Sequence, residues 1–191
     1  IAGLDFTSNP TNSKKNIIIT SQILDNKILV RKLLHFSDFE SLIEFFSKSS
    51  PILCGCDFPF NFPLDYQKEF GLKNFNDTKK LIAKFNKIEF KNSLRKIQKH
   101  REYGFKYSYR LTDKENFASS PVNVINPPTG LMLYEGLKMF SSLDCCTYPF
   151  EKMNLKKNNF FETYPKIFLK LYNLTEKYKN EKQNNLDQLY V

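Results

Sequence analysis

Asp5 and Asp57 each close a short apolar run, Ile1-Ala2-Gly3-Leu4-Asp5 and Ile52-Leu53-Cys54-Gly55-Cys56-Asp57. Such runs are too short for a typical helix, and turn-prone residues follow both, which is the pattern of buried strands. Two neighbouring strands of this kind would present both carboxylates at one edge of a sheet. Burying one carboxylate is costly, and two close together repel unless a cation shares the site. A divalent ion is the simplest such cation. Phe160-Phe161-Glu162-Thr163-Tyr164-Pro165 is a third short β-prone run carrying one acid and stopped by proline. Mg2+ and Mn2+ select oxygen ligands, and Mg2+ takes one or two carboxylates together with water and substrate phosphate. Three strand-associated acids therefore point to metal-assisted phosphoryl-transfer chemistry, in which a pair of ions clamps the attacking and leaving oxygens.

Several elements must position these acids. Ile17-Ile18-Ile19-Thr20 and Lys27-Ile28-Leu29-Val30 read as β-branched-rich strands, with Asp25-Asn26 as the hairpin turn between them. Ser37-Asp38-Phe39-Glu40 has the S-x-x-E form of a capping box, and Phe39, Leu42, Ile43, Phe45 and Phe46 follow at helical spacing. The expected order is strand, strand, strand, helix, strand, with the aspartates on the first and fourth strands. Phe58-Pro59-Phe60-Asn61-Phe62-Pro63 then leaves the sheet as a rigid turn, because two prolines remove ladder donors. From Leu64 to about Asn116 the pattern is charged and mostly helical. Leu133, Leu137 and Phe140 mark a helix over Leu131 to Leu143, in which Glu135 is expected to face solvent. Ile167, Phe168, Leu171 and Leu174 form another helical stripe.

A chain of 191 residues with 41% apolar and 15% aromatic residues can bury a sizeable core. It reads as a single domain. No stretch approaches a membrane span and no signal-peptide pattern opens the sequence, so a cytoplasmic protein with no membrane partner is expected. The absence of an initial Met suggests that a residue or two precedes Ile1. Cys54, Cys56, Cys145 and Cys146 lack zinc-ligand spacing and read as reduced thiols.

The net charge of +9 favours an anionic partner. Lys96, Lys99, His100, Arg101, Lys106 and Arg110 are interleaved with Tyr103, Phe105, Tyr107 and Tyr109. Cations among aromatics suit a phosphate backbone and stacked bases, although a solvated helix face has the same composition. His100 reads as a surface residue. No protein partner is identifiable.

Several short segments, in order over most of the chain, resemble the domain of unknown function 429 family, a group of predicted nucleases. They are Gly3-Leu4-Asp5-Phe6-Thr7-Ser8, Gly55-Cys56-Asp57-Phe58-Pro59-Phe60-Asn61-Phe62-Pro63, Arg110-Leu111-Thr112-Asp113, Ser120-Pro121-Val122-Asn123, Pro127-Pro128-Thr129-Gly130-Leu131-Met132, Glu135-Gly136 and Glu162-Thr163-Tyr164-Pro165. The resemblance implies an α/β, ribonuclease-H-like fold. That fold is a mixed five-stranded sheet flanked by helices, here with a basic helical insertion after strand four at about residues 64–130. Asp5, Asp57 and Glu162 would be the catalytic, metal-binding acids of strands one, four and five, holding Mg2+ or Mn2+. Arg110 and Asp113 would lie in the insertion covering the site and, with Lys106, contact substrate. The family closes with a helix bearing a further acid. Asp187 in Asn185-Leu186-Asp187-Gln188-Leu189 is the nearest match, and the alternative is that this helix is missing.

The expected function is a metal-dependent nuclease acting on nucleic acid, DNA or RNA. The alternative is a nucleic-acid-binding module with a weak or inactive site on the same fold. An actin-like or sugar-kinase-like phosphotransferase fits Asp5-Phe6-Thr7-Ser8 superficially, but no second glycine-rich phosphate loop is present.

Overall fold

The computed structural model describes residues 1–102 and 104–171. Among the described residues, six strands form one mixed sheet: β1 (Ala2–Asp5), β2 (Asn16–Leu24), β3 (Lys27–Phe36), β4 (Leu53–Cys56), β5 (Cys145–Tyr148) and β6 (Asn158–Glu162). Their order is β3-β2-β1-β4-β6-β5. β2 is antiparallel to both β1 and β3, whereas β4 is parallel to β1, β6 to β4, and β5 to β6. The α/β class and the mixed sheet stand as expected, with six strands in place of five. The additional strand is β5, a four-residue edge with no alternating pattern to announce it. It is held by Glu151, whose carboxylate accepts from the Thr147 amide at 2.9 Å and hydroxyl at 2.6 Å.

The β2–β3 hairpin runs farther than the β-branched stretches alone indicated. Asp25 and Asn26 have φ of 48° and 60°, the paired positive values of a two-residue turn matched to strand twist. The tip projects past the core, leaving Ile28 65% and Val30 68% exposed.

The core lies on one face of the sheet because side chains alternate across a strand. Leu4, Ile18, Cys54, Cys56 and Phe160 point to that face and are buried. Helix α1 (Phe39–Lys48) covers it with Leu42 and Phe46. Its cap is Asp38, one residue beyond the expected Ser37: the Asp38 carboxylate accepts from the Ser41 amide at 2.7 Å. The S-x-x-E spacing is present, but Asp38, extended just before α1, is the residue whose carboxylate reaches the amide three residues on. The core is largely phenylalanine. Phe160 meets Phe46 at 5.0 Å and Phe140 at 4.8 Å, and Phe58 meets Phe6 at 4.5 Å between ring centroids.

The segment after β4 is the expected exit turn, and its Phe58, Phe60 and Phe62 are at the centre of the core. Beyond it come α2 (Leu64–Glu69), α3 (Phe75–Lys84), α4 (Lys87–Lys99) and α5 (Leu111–Glu115). α4 starts on a reciprocal capping box, in which Asn86 and Glu89 satisfy each other's free amides. Then α6 (Thr129–Ser141) and α7 (Pro165–Leu171) flank β5 and β6 in sequence. The expected contributions of Tyr103, Leu174 and Asp187 lie outside the described residues. Among the described residues no helix is long and apolar enough to cross a membrane.

Candidate active site

β1, β4 and β6 are consecutive parallel strands, and one acid stands at the C-terminal end of each. Leu4 is in register with Cys56, and the Asp57 amide donates to the Leu4 carbonyl at 3.1 Å. Asp5 and Asp57 therefore extend the ladder side by side. Neighbouring strands lie about 4.8 Å apart, so the two carboxylates share one short stretch of edge. Both belong to the face opposite the core, since Leu4 and Cys56 just before them are buried.

Glu162 is different. It pairs with Cys56, not with Asp57, and so shares the parity of the core-facing Phe160. By register Glu162 has the parity of the core-facing residues and the two aspartates do not, although Glu162 and Asp57 both reach the cleft beyond the strand ends. The residue that shares the face of Asp57 is Thr163, whose Cγ2 would stand 2.9 Å from a Cβ built on Gly55. Only a glycine lets Thr163 lie so close over β4.

Both Glu162 oxygens are occupied. Oε2 accepts from the Phe60 amide at 2.9 Å and from Arg110 Nη1 at 2.7 Å, and Oε1 accepts from Arg110 Nη2 at 2.5 Å. Arg110 is the N-terminal boundary residue of α5. Its Nε and Nη2 donate to Asp113 at 2.9 and 2.7 Å, and its own amide donates to Asp113 Oδ2 at 2.8 Å. Asp113 is buried. Burial works against the charged guanidinium, but hydrogen bonds and attraction from Asp113 and Glu162 outweigh it and hold the Arg110 pKa above the ordinary arginine value. One cation and two carboxylates leave this cluster with a net charge of about −1.

Asp57, Arg110, Asp113 and Glu162 all line one cleft of 1080 Å³ between the sheet edge, α5, the start of α6 and α7. Asp5 adjoins Asp57 in the sheet but is not part of that lining, and neither is Lys106. Lys106 is exposed, and its backbone carbonyl accepts from the Tyr66 hydroxyl at 3.0 Å. Arg101, from the same basic stretch, lies over the Tyr66 ring at 4.2 Å and pairs with Asp65 at 2.5 Å. Part of the basic and aromatic segment is therefore spent on internal contacts. Tyr109 and Phe150, about two-fifths exposed, bring aromatic surface to the cleft, and Asn61, Gln67 and Lys166 bring polar groups. Phe150, Gln67 and Lys166 carry no local motif that marks them for a site. Glu135, expected in solvent, pairs with Lys87 at 2.8 Å, and the Lys87 ammonium also reaches the Ser8 carbonyl after β1.

The pair Asp5 and Asp57 supplies hard oxygen donors in the number that Mg2+ takes from protein. It fits one ion. Among the described residues no group of three acid, histidine or cysteine side chains is placed to hold a metal together. Burial, followed by the nearby Glu151, pushes the Cys145 thiol up to about 12. Compared with known proteins, the chain matches no family model, no curated protein and no solved structure.

Proposed function

We propose that the protein is a metal-dependent phosphodiester hydrolase acting on nucleic acid, built on a ribonuclease-H-like sheet. The observation that carries this reading is the side-by-side placement of Asp5 and Asp57 at the C-terminal ends of two parallel strands. The order β3-β2-β1-β4, with β2 reversed and β6 continuing beyond β4, supports the fold assignment. On this reading β5 is an added edge strand. Asp5 and Asp57 would hold Mg2+ or Mn2+, which supplies an activated water and charge neutralisation at phosphorus when bound. The chain's own contribution is to fix the two carboxylates on rigid strands and to offer the cleft beside Asp57 to the substrate. The exposed Tyr109 and Phe150 rings would stack on bases, and the net positive charge of the chain would draw the polyanion in. Arg110 and Asp113 would act on substrate indirectly, by holding α5 as the wall of the cleft.

The test is cleavage of single- and double-stranded DNA and RNA with Mn2+ by wild-type, Asp5→Asn and Asp57→Asn proteins. Each substitution removes a charge with little change of shape, so cleavage is expected to fall to background in both. Cleavage by Asp5→Asn at the wild-type rate would sink the assignment.

The engagement of both Glu162 oxygens by Arg110 favours a second reading, a nucleic-acid-binding module without efficient chemistry. Salt-sensitive binding with no cleavage in Mn2+ would select it.

A further inference from the structure

We infer that Glu162 stands outside the metal shell, with Arg110 as its permanent counter-ion, so that the catalytic edge takes a single divalent ion at Asp5 and Asp57. The inference rests on the metal-dependent reading above and narrows it. Three strand-end acids would ordinarily suggest a pair of ions; two features of this chain oppose that, and a third gives Glu162 a different role.

The first is parity. Glu162 is in register with the buried Cys56, one residue short of Asp57, so it leaves β6 with the opposite parity to the aspartates and reaches the cleft from the Arg110 side. A single step of register moves a side chain to the opposite face.

The second is the ion pair. Three N–H donors meet the two Glu162 oxygens, one from Phe60 and two from Arg110. On the other side of the fork, four of the five guanidinium N–H groups are accounted for by Glu162 and Asp113. The Arg110 side chain is only 19% exposed, so water is poorly placed to take over a lost partner. Moving Glu162 onto a metal would leave the Phe60 amide without its acceptor and Arg110 with half its bonds. A second ion there would also face a guanidinium that does not lose its charge.

The third is mechanical. Arg110 begins α5, and α5 forms a wall of the cleft. The Glu162–Arg110–Asp113 cluster ties that wall to the end of β6. Glu162 and Arg110 are thus positioning residues for the cleft, while the aspartates alone meet the ion.

Calorimetric titration with Mn2+ separates these roles without any cleavage assay. Wild-type protein is expected to bind one ion per chain. Glu162→Gln keeps the shape and the Phe60 contact, and its Mn2+ affinity is expected to stay within about twofold of wild type. Asp57→Asn should weaken binding by about tenfold or more. Two ions per wild-type chain, or a tenfold loss in Glu162→Gln, would overturn the inference. The wild-type stoichiometry decides the matter even where Glu162→Gln fails to fold. No Mn2+ binding by the folded wild-type protein is a distinct result, which overturns the metal-dependent reading and this inference with it.

Discussion

Gly136 shows how tightly single residues are held around the site. A Cβ there would lie 2.0 Å from Phe58 Cε2 and 2.5 Å from Cζ, far inside contact distance. The Phe58 ring cannot step aside, since Phe6, Phe60 and Phe140 surround it at 4.5, 5.1 and 5.5 Å. Alanine would gain about 1 kcal/mol of helix propensity over glycine, whereas overpacking of a filled core costs about 1–3 kcal/mol or more. The clash wins. Gly136→Ala is expected to lower the urea midpoint at an unchanged slope, and a variant as stable as wild type would show that α6 can shift away from β4. Phe58 immediately follows Asp57, so the same substitution also presses on the site. Glycine at this position is a packing requirement of the segment that carries the second aspartate.

At the scale of elements, edge strand β5 depends on one carboxylate. Burial opposes ionisation of Glu151, but hydrogen bonds from Lys79 and Thr147 prevail and hold its carboxyl below the usual 4.5. Lys79 belongs to α3, so the Lys79–Glu151 pair at 2.6 Å also joins the insertion to the sheet edge. A carboxyl whose folded value is depressed adds stability above its unfolded value, and that stability is lost as pH falls through the folded value. Wild-type stability should therefore drop on acidification below about pH 4.5 more steeply than that of Glu151→Gln. Urea unfolding of both proteins between about pH 6 and pH 3 measures this, and parallel curves would remove Glu151 from the account. The element-level reading of the sequence succeeded where patterns are local. The Asp25-Asn26 turn, α1 and α6 all follow from neighbouring residues. β5 was hidden because its stability comes from β6 on one side and from Glu151 across a turn, with only four residues to show a period.

Across the whole molecule, the net charge of +9 coexists with an acidic cluster at the cleft. Binding of a labelled single-stranded oligonucleotide, followed by fluorescence anisotropy, is expected to weaken as salt rises. The slope of log K against log salt should be about −0.7 per phosphate neutralised. Affinity that does not respond to salt would show that the positive balance serves some other partner. The exposed apolar tip of the β2–β3 hairpin lies at the far edge of the sheet from β6, so it takes no part in this cleft.

Local spacing was enough to mark Asp5, Asp57 and Glu162 as acids at strand ends, because short apolar runs closed by turns report buried strands directly. It was also enough to place the hairpin turn and the helix that precedes β4. Which acids share a face was decided by tertiary structure alone. Parity across a sheet depends on register between strands, and β4 and β6 are separated by the whole insertion. Arg110 and Glu162 likewise meet across 52 residues of chain, through a fork that no local pattern encodes. The three acids read as one set in sequence, and pairing register divided them into two of one parity and one of the other, which meets Arg110 instead.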